Sequence, residues 1–156
     1  MKNLKRQAIE QRSRARRQLL QTLYQWQISG NDPWSVRRNR LILEKSELND
    51  KKVIYALCGD IDDDYFNAAF DTISEKRDLY DTRVSEHTLR RPGTLDPVER
   101  GILWIGVYEL IERFDIHPTV TINEAVELAK QFGAADSYKY INATLDKLGK
   151  ALRPNG

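Results

Sequence analysis

The chain has 156 residues, 31% of them charged and 40% hydrophobic, with five prolines and eight glycines. That length fits one domain or two tightly joined subdomains, and that balance excludes wholesale disorder. The net charge of +2 hides a polarity: residues 1–18 carry seven basic side chains against one acid, and the remainder holds 18 basic against 22 acidic residues. One end is therefore suited to meeting a polyanion. No apolar run approaches the roughly 18 residues of a membrane span, and no signal-like apolar stretch follows the basic start. The single cysteine, Cys58, cannot form an intrachain disulfide, and the cytoplasm is the expected location. β-Branched alternation is rare, so the expected class is all-α.

From about Asn3 to Ser29 the pattern predicts one long helix. On a helical wheel Ala8, Ala15, Leu19, Leu23 and Trp26 fall within about 40° of one another, forming a buried stripe. Arg12 falls on the same side; either the helix begins after it or its aliphatic stem lies along the core edge. Arg6, Arg17 and Tyr24 share a second stripe, beside Arg14, Gln21 and Ile28. Guanidinium forks grip phosphate, an aromatic ring offers a stacking surface and an amide can read a base edge, so this row suits single-stranded RNA. The competing reading is a solvated N-terminus whose tyrosine packs on a neighbouring helix.

Gly30-Asn31-Asp32-Pro33 ends that helix. A weaker helical segment over 34–48 follows, then a third helix from Asn49 or Asp50 to about Lys76 or Arg77, with Gly59 a potential bend. Arg37, Arg38 and Arg40 read as a solvated face before they read as an RNA surface. The acidic run Asp60 to Asp64 lacks the glycine and terminal glutamate of a calcium loop and is not taken as a metal site. A short fourth helix is predicted from Asp78 to Leu89, closed by Arg90-Arg91-Pro92-Gly93. His87 and His117 have no ligand partner at metal spacing.

Asp96-Pro97-Val98-Glu99 is the strongest helix start in the chain: a cap, proline at the first position and an acid two residues on. The helix predicted from there to about Phe114 is apolar on two sides, so it should be buried on both, and Glu109 then needs a hydrogen-bond partner. Thr121 with Glu124 forms a capping-box pattern, supported by a Val120–Ala125 staple, for a sixth helix. Its stripe is Ile122, Ala125, Val126 and Ala129, and Gly133 is expected in a left-handed position after it. Asp136 is the cap expected for a last helix, with Ile141, Leu145, Leu148 and Leu152 inward. Tyr140 lies at the edge of that stripe; with Lys130, Lys139 and the elbow between the two helices it makes a second candidate patch, or else simply covers the core rim. No phosphate-binding glycine loop, zinc-protease motif or cysteine pair is present, and Cys58 has no activating base in the pattern, so no catalytic residue or cofactor is expected.

Three blocks in fixed order carry a family resemblance. RSRARRQLLQTLYQWQ (Arg12 to Gln27), LDPVERGILWIGVYEL (Leu95 to Leu110) and INEAVELAKQFG followed by D-S-x-K-[aromatic]-[aliphatic]-N-x-x-L-D resemble the NusB family of bacterial transcription antitermination factors. The resemblance implies an all-helical bundle of about seven helices in two three-helix subdomains packed across each other, taken here as residues 1–78 and 79–152. It implies binding of boxA-type single-stranded RNA from ribosomal-RNA operon leaders, together with the small-subunit ribosomal protein NusE, in the RNA polymerase antitermination complex. Carried over by position, Arg6, Arg12, Arg14, Arg16, Arg17 and Tyr24 serve RNA, as do Lys130, Asp136, Lys139 and Tyr140. Tyr24 and Glu99 lie towards the partner protein. Trp104 stands where the family often has arginine, Ala143 and Thr144 replace its glycine and valine, and Thr119 stands where it has a cation. Two other readings remain: a non-catalytic protein–protein adaptor, and a relative of the NusB-like domain that precedes the catalytic domain of some rRNA cytosine methyltransferases.

Overall fold

A computed structural model of the chain describes residues 2–37, 60–88 and 95–155. Among these residues the regular structure is all helical: α1 (Lys2–Ser29), α2 (Asp63–Ser85), α3 (Pro97–Glu112), α4 (Pro118–Phe132) and α5 (Ser137–Leu152), with a helical turn over 33–37. The chain divides into two compact units, residues 1–71 and 72–156.

In the first unit α1 buries Ala15, Leu19, Leu23 and Trp26, four of the five residues predicted for its inward stripe. Each such apolar side chain is worth about 1.5–3 kcal/mol when removed from water. Ala8, the fifth, is exposed, as is every residue from Asn3 to Glu10. The cover stops at the start of α2, where the Asp62 N–H donates to the Gln11 carbonyl at 3.0 Å. Phe66 and Phe70 stack on each other, and Phe70 meets the Trp26 ring edge-on with 6.3 Å between centroids. Gly30 ends α1 with φ +69°, its N–H donating to the Trp26 carbonyl. Asp32 then caps the 33–37 turn, accepting from the Ser35 N–H at 2.9 Å and the Ser35 hydroxyl at 2.7 Å. Most of the predicted second helix, with Arg38 and Arg40, and the start of the third, with Cys58 and Gly59, lie outside the described residues.

The predicted break at Asp78 is absent. α2 runs unbroken from Asp63 to Ser85, merging the third and fourth predicted helices over this stretch. Thr72 to Ser85 contains neither glycine nor proline, and Ile73, Tyr80 and Val84 keep one buried face through it. Asp78 has the composition of a cap but its side chain is exposed, and its carbonyl accepts from the Thr82 hydroxyl. The acidic run before α2 is a helix start: the Asp62 carboxylate accepts from the Tyr65 N–H, and Asp63 and Asp64 sit in the first turn, where the helix dipole favours them.

In the second unit α3, α4 and α5 pack pairwise. α3 is capped by Asp96, whose Oδ1 accepts from the Glu99 N–H at 2.9 Å, and it is buried without interruption from Gly101 to Leu110. Gly106 gives room for α5: a Cβ there would lie 2.7 Å from the Leu145 side chain. The partner required by buried Glu109 is Thr121, whose hydroxyl donates to it at 2.9 Å. That bond also shows that Thr121 is not the cap of α4. The helix starts earlier, at Pro118, with His117 as N-cap and its Nδ1 accepting from the Thr119 N–H at 3.1 Å. Proline at the first helical position, preset in φ, moves the start forward. The buried stripe accordingly shifts to Thr121, Ala125, Leu128 and Ala129. Phe114, placed by periodicity on an inner face of α3, lies beyond its end, 74% exposed.

Candidate nucleic-acid interface

The basic side chains predicted on α1 divide by surroundings. Arg6 is exposed. Arg12 keeps its stem at the core edge, as its wheel position required, and donates through Nε and Nη2 to the Asp62 carboxylate at 3.2 and 3.1 Å. Its guanidinium also lies 5.5 Å from the Tyr65 ring centroid. Arg14 is half-buried, pairing with Glu10 one turn back at 3.6 Å and donating to the Asp60 carbonyl. Arg16 is only 3% exposed, with its guanidinium 5.4 Å from the same Tyr65 ring. It sits on the inner side of the helix, where it steadies Tyr65 and presents almost nothing to solvent. Arg17 is half-buried, and Tyr24 is exposed, with Ile28 exposed one turn further on. The outward row in this unit is thus Arg6 and Tyr24, with Arg12, Arg14 and Arg17 at its border and Arg16 behind it.

In the second unit the elbow between α4 and α5 brings together Lys130, Asp136, Lys139 and Tyr140 with a residue that the periodicity argument passed over, Tyr138. Gly133 closes α4 in an extended conformation (φ −86°, ψ 170°), not the left-handed one expected. Glycine is needed there for space: a Cβ would lie 2.5 Å from Ser137 Oγ and 2.7 Å from the Ala129 carbonyl oxygen. The left-handed residue is Asp136 (φ 66°). Asp136 precedes α5 as expected of a cap, but its side chain makes no capping hydrogen bond; it pairs with Lys139 at 3.5 Å. A short polar residue is among the few besides glycine that tolerate this backbone.

Tyr140 is half-buried, and its hydroxyl accepts from the Thr88 hydroxyl at 2.8 Å, tying α5 to the turn after α2. Tyr138 is the ring with cations around it: Lys130 Nζ lies 5.1 Å and Lys139 Nζ 6.0 Å from its centroid. Its signal in the sequence was an aromatic directly beside Lys139 and eight residues after Lys130, near one helical face from which the elbow diverts the chain.

Glu99, expected towards a partner protein, is 6% exposed in the first turn of α3. Nearby, Trp104 is 1% exposed, and its indole N–H donates to Asp81 Oδ1 at 2.8 Å. Arg100 donates to both Asp81 oxygens and stacks 4.9 Å from the Trp104 ring. At this position tryptophan therefore supplies both a donor and a flat surface. Among the described residues no group of three or more His, Cys, Asp or Glu side chains could hold a metal ion. No helix among them is long and apolar enough to cross a membrane.

The sequence model of the NusB family matches residues 13–150. The transcription antitermination protein NusB of Pseudoalteromonas atlantica is 38% identical over 142 residues, covering 91% of this chain and 93% of that protein. The protein of the same name from Edwardsiella ictaluri is 39% identical over 144 residues, covering 92% and 95%. Among solved structures, NusB of T. maritima superposes with a TM-score of 0.68 at 28% identity, over 88% of this chain and 89% of that one.

Proposed function

Because the chain belongs to the NusB family, we propose that it is a non-catalytic transcription antitermination factor that binds boxA-type single-stranded RNA of ribosomal-RNA operon leaders. In this reading it acts in the cytoplasm with the small-subunit ribosomal protein NusE, within the RNA polymerase antitermination complex. The observation that carries the proposal is the elbow at residues 133–140. It falls on the family's D-S-x-K-[aromatic] block and gathers two lysines around a tyrosine ring beside one carboxylate. Cations for phosphate and an aromatic face for a base are what a flexible single strand requires. On α1, Arg6 and Tyr24 supply the same chemistry, with Arg12, Arg14 and Arg17 at the edge; Arg16 contributes by holding Tyr65. Tyr24 is the exposed candidate for contact with NusE, and Glu99 serves from within the helix start. An adaptor that binds only protein is the second reading, favoured by the exposure of Tyr24 and Ile28 together.

The test is titration of labelled boxA-like RNA and a scrambled RNA of equal length, with and without NusE, at two salt concentrations. Preference for the boxA-like strand is expected, with log affinity falling against log salt by about 0.7 per phosphate neutralised. Equal binding of both strands refutes sequence recognition, and no binding of either leaves the adaptor. Charge reversal at Arg6 should weaken RNA binding with helicity unchanged; Arg14 and Arg17 are less suited to reversal because both are half-buried.

A further inference from the structure

We infer that Tyr138, with the Lys130 and Lys139 ammonium groups 5.1 and 6.0 Å from its ring centroid, is a single-nucleotide subsite in which the tyrosine ring stacks one base and the two ammonium groups take its phosphate. The inference rests on the RNA-binding reading above and names the residue within the elbow that does the stacking.

Three observations converge on Tyr138 and away from Tyr140. The Tyr140 hydroxyl is engaged by Thr88, and its ring is held in place by that tether. Tyr138 is likewise partly exposed, but its ring has the two lysine ammonium groups near it, and among the described residues its hydroxyl makes no hydrogen bond. Lys130 is exposed, its ammonium lies near that ring, and it forms no ion pair with a carboxylate among the described residues. Lys139 shares Asp136 at 3.5 Å, which leaves the group of three charges with one unit of positive charge in excess. Two like charges drawn to one ring repel each other, and an anion between or beside them relieves that repulsion. Ammonium contacts to a partly exposed ring are weak compared with a stacked base. A base arriving at the ring face displaces an ammonium, and the flexible lysine stem lets that charge follow to the adjoining phosphate.

The elbow backbone keeps the three groups in register. Gly133 admits close approach of α5 to the end of α4, and left-handed Asp136 turns the chain so that Tyr138 in α5 meets Lys130 in α4. Gly133 leaves no room for a Cβ and Asp136 needs a residue that tolerates positive φ, so the backbone that carries the ring and the two lysine stems is set by the turn.

The experiment uses the full chain and a labelled boxA-like RNA, together with a set of the same RNAs each carrying one abasic position. Tyr138→Ala is expected to weaken binding of the intact RNA by about 5- to 150-fold, the range of one lost stacking contact. Tyr138→Phe, which keeps the ring, should recover most of the affinity that Tyr138→Ala loses. One abasic position should weaken the wild type and leave Tyr138→Ala unaffected; that coupling would not appear if the tyrosine merely supported the fold. Lys130→Ala should flatten the salt slope by about 0.7. If the wild type binds the RNA but Tyr138→Ala binds equally well, or no abasic position couples to it, the assignment of Tyr138 is overturned and the wider reading stands. If the wild type binds no RNA, both fall.

Discussion

Replacing Arg153 tests how the second unit is closed. This residue follows α5, and its guanidinium donates to four main-chain carbonyls: Leu110 from Nε at 2.9 Å, Ile116 from Nη1 at 2.6 Å, and Glu109 and Arg113 from Nη2, each at 2.6 Å. The acceptors are the end of α3 and the loop after it, where helix carbonyls have no partner within the helix. Not all four would be orphaned by its loss. Glu109 also accepts from the Arg113 N–H and Arg113 from the Ile116 N–H, so the carbonyls that depend on the side chain are Leu110 and Ile116. An unsatisfied carbonyl costs about 1–3 kcal/mol, and this partly exposed site lets water recover much of it. Losing a cation at a helix C-terminus adds about 0.3–1 kcal/mol. Arg153→Met is therefore expected to destabilise by about 2–4 kcal/mol, which in a domain of this size lowers the melting temperature by roughly 4–16 °C. Arg153→Lys keeps the charge without the fork and should fall between. Thermal melting followed by circular dichroism is the assay. A melting point for Arg153→Met indistinguishable from wild type would show that the clamp carries no net stability.

Two further substitutions probe other points of the frame. Burial pushes the Tyr80 and Tyr108 phenols above the ordinary tyrosine value of 10.0. Since the folded chain holds those protons more tightly than the unfolded one, their contribution is complete below pH 10 and is lost as pH rises above it; for Tyr80, the strongly shifted one, the loss is about 1.4 kcal/mol per pH unit. The Tyr80 hydroxyl is buried without a hydrogen-bond partner among the described residues, so Tyr80→Phe should be no less stable at neutral pH and should show a shallower fall between pH 10 and 11 in urea titrations; an unchanged slope would remove Tyr80 as a cause. Gly133→Ala puts a methyl group against the Ala129 carbonyl and the Ser137 hydroxyl, and overpacking of this kind costs about 1–3 kcal/mol. A helix-propensity argument alone predicts a gain from the same change, so the sign of the shift in denaturant midpoint decides between them.

Much of the fold was legible because the apolar period carries through each helix. Leu19, Leu23 and Trp26 in α1, and Ile141, Leu145 and Leu148 in α5, are buried as their spacing required. The α3 cap was read correctly from Asp96-Pro97, since that motif acts within one turn and needs nothing distant. Errors arose where a local signal had a competitor elsewhere. Asp78 is a good cap in isolation, but the buried face of Tyr80 and Val84 continued the helix past it. Thr121 satisfies the capping-box pattern, yet its hydroxyl is worth more against the buried carboxylate of Glu109, and Pro118 had already started the helix. Phe114 fits the wheel of α3, but the helix stops at Glu112, and the ring ends beside the Arg153 guanidinium, 4.7 Å from its centroid.

The candidate interface was legible in composition and less so in assignment, for one physical reason. A wheel gives the direction in which a side chain leaves its helix, but the competition for that side chain comes from other segments. Arg12 and Arg14 are met by the Asp60–Asp62 stretch, more than 40 residues away in sequence, and Arg16 by Tyr65 beyond it. Thr88, equally remote, takes the Tyr140 hydroxyl. Each of these contacts turns a residue expected to face a ligand into one that also holds the scaffold. What stays outward is what no remote segment among the described residues claims: Arg6 and Tyr24 on the arm, and Lys130 with Tyr138 at the elbow. A useful site prediction for such a bundle therefore subtracts, from its cations and rings, those with a carboxylate or hydroxyl partner in the fold, and the remainder is the surface on which a nucleic acid can still act.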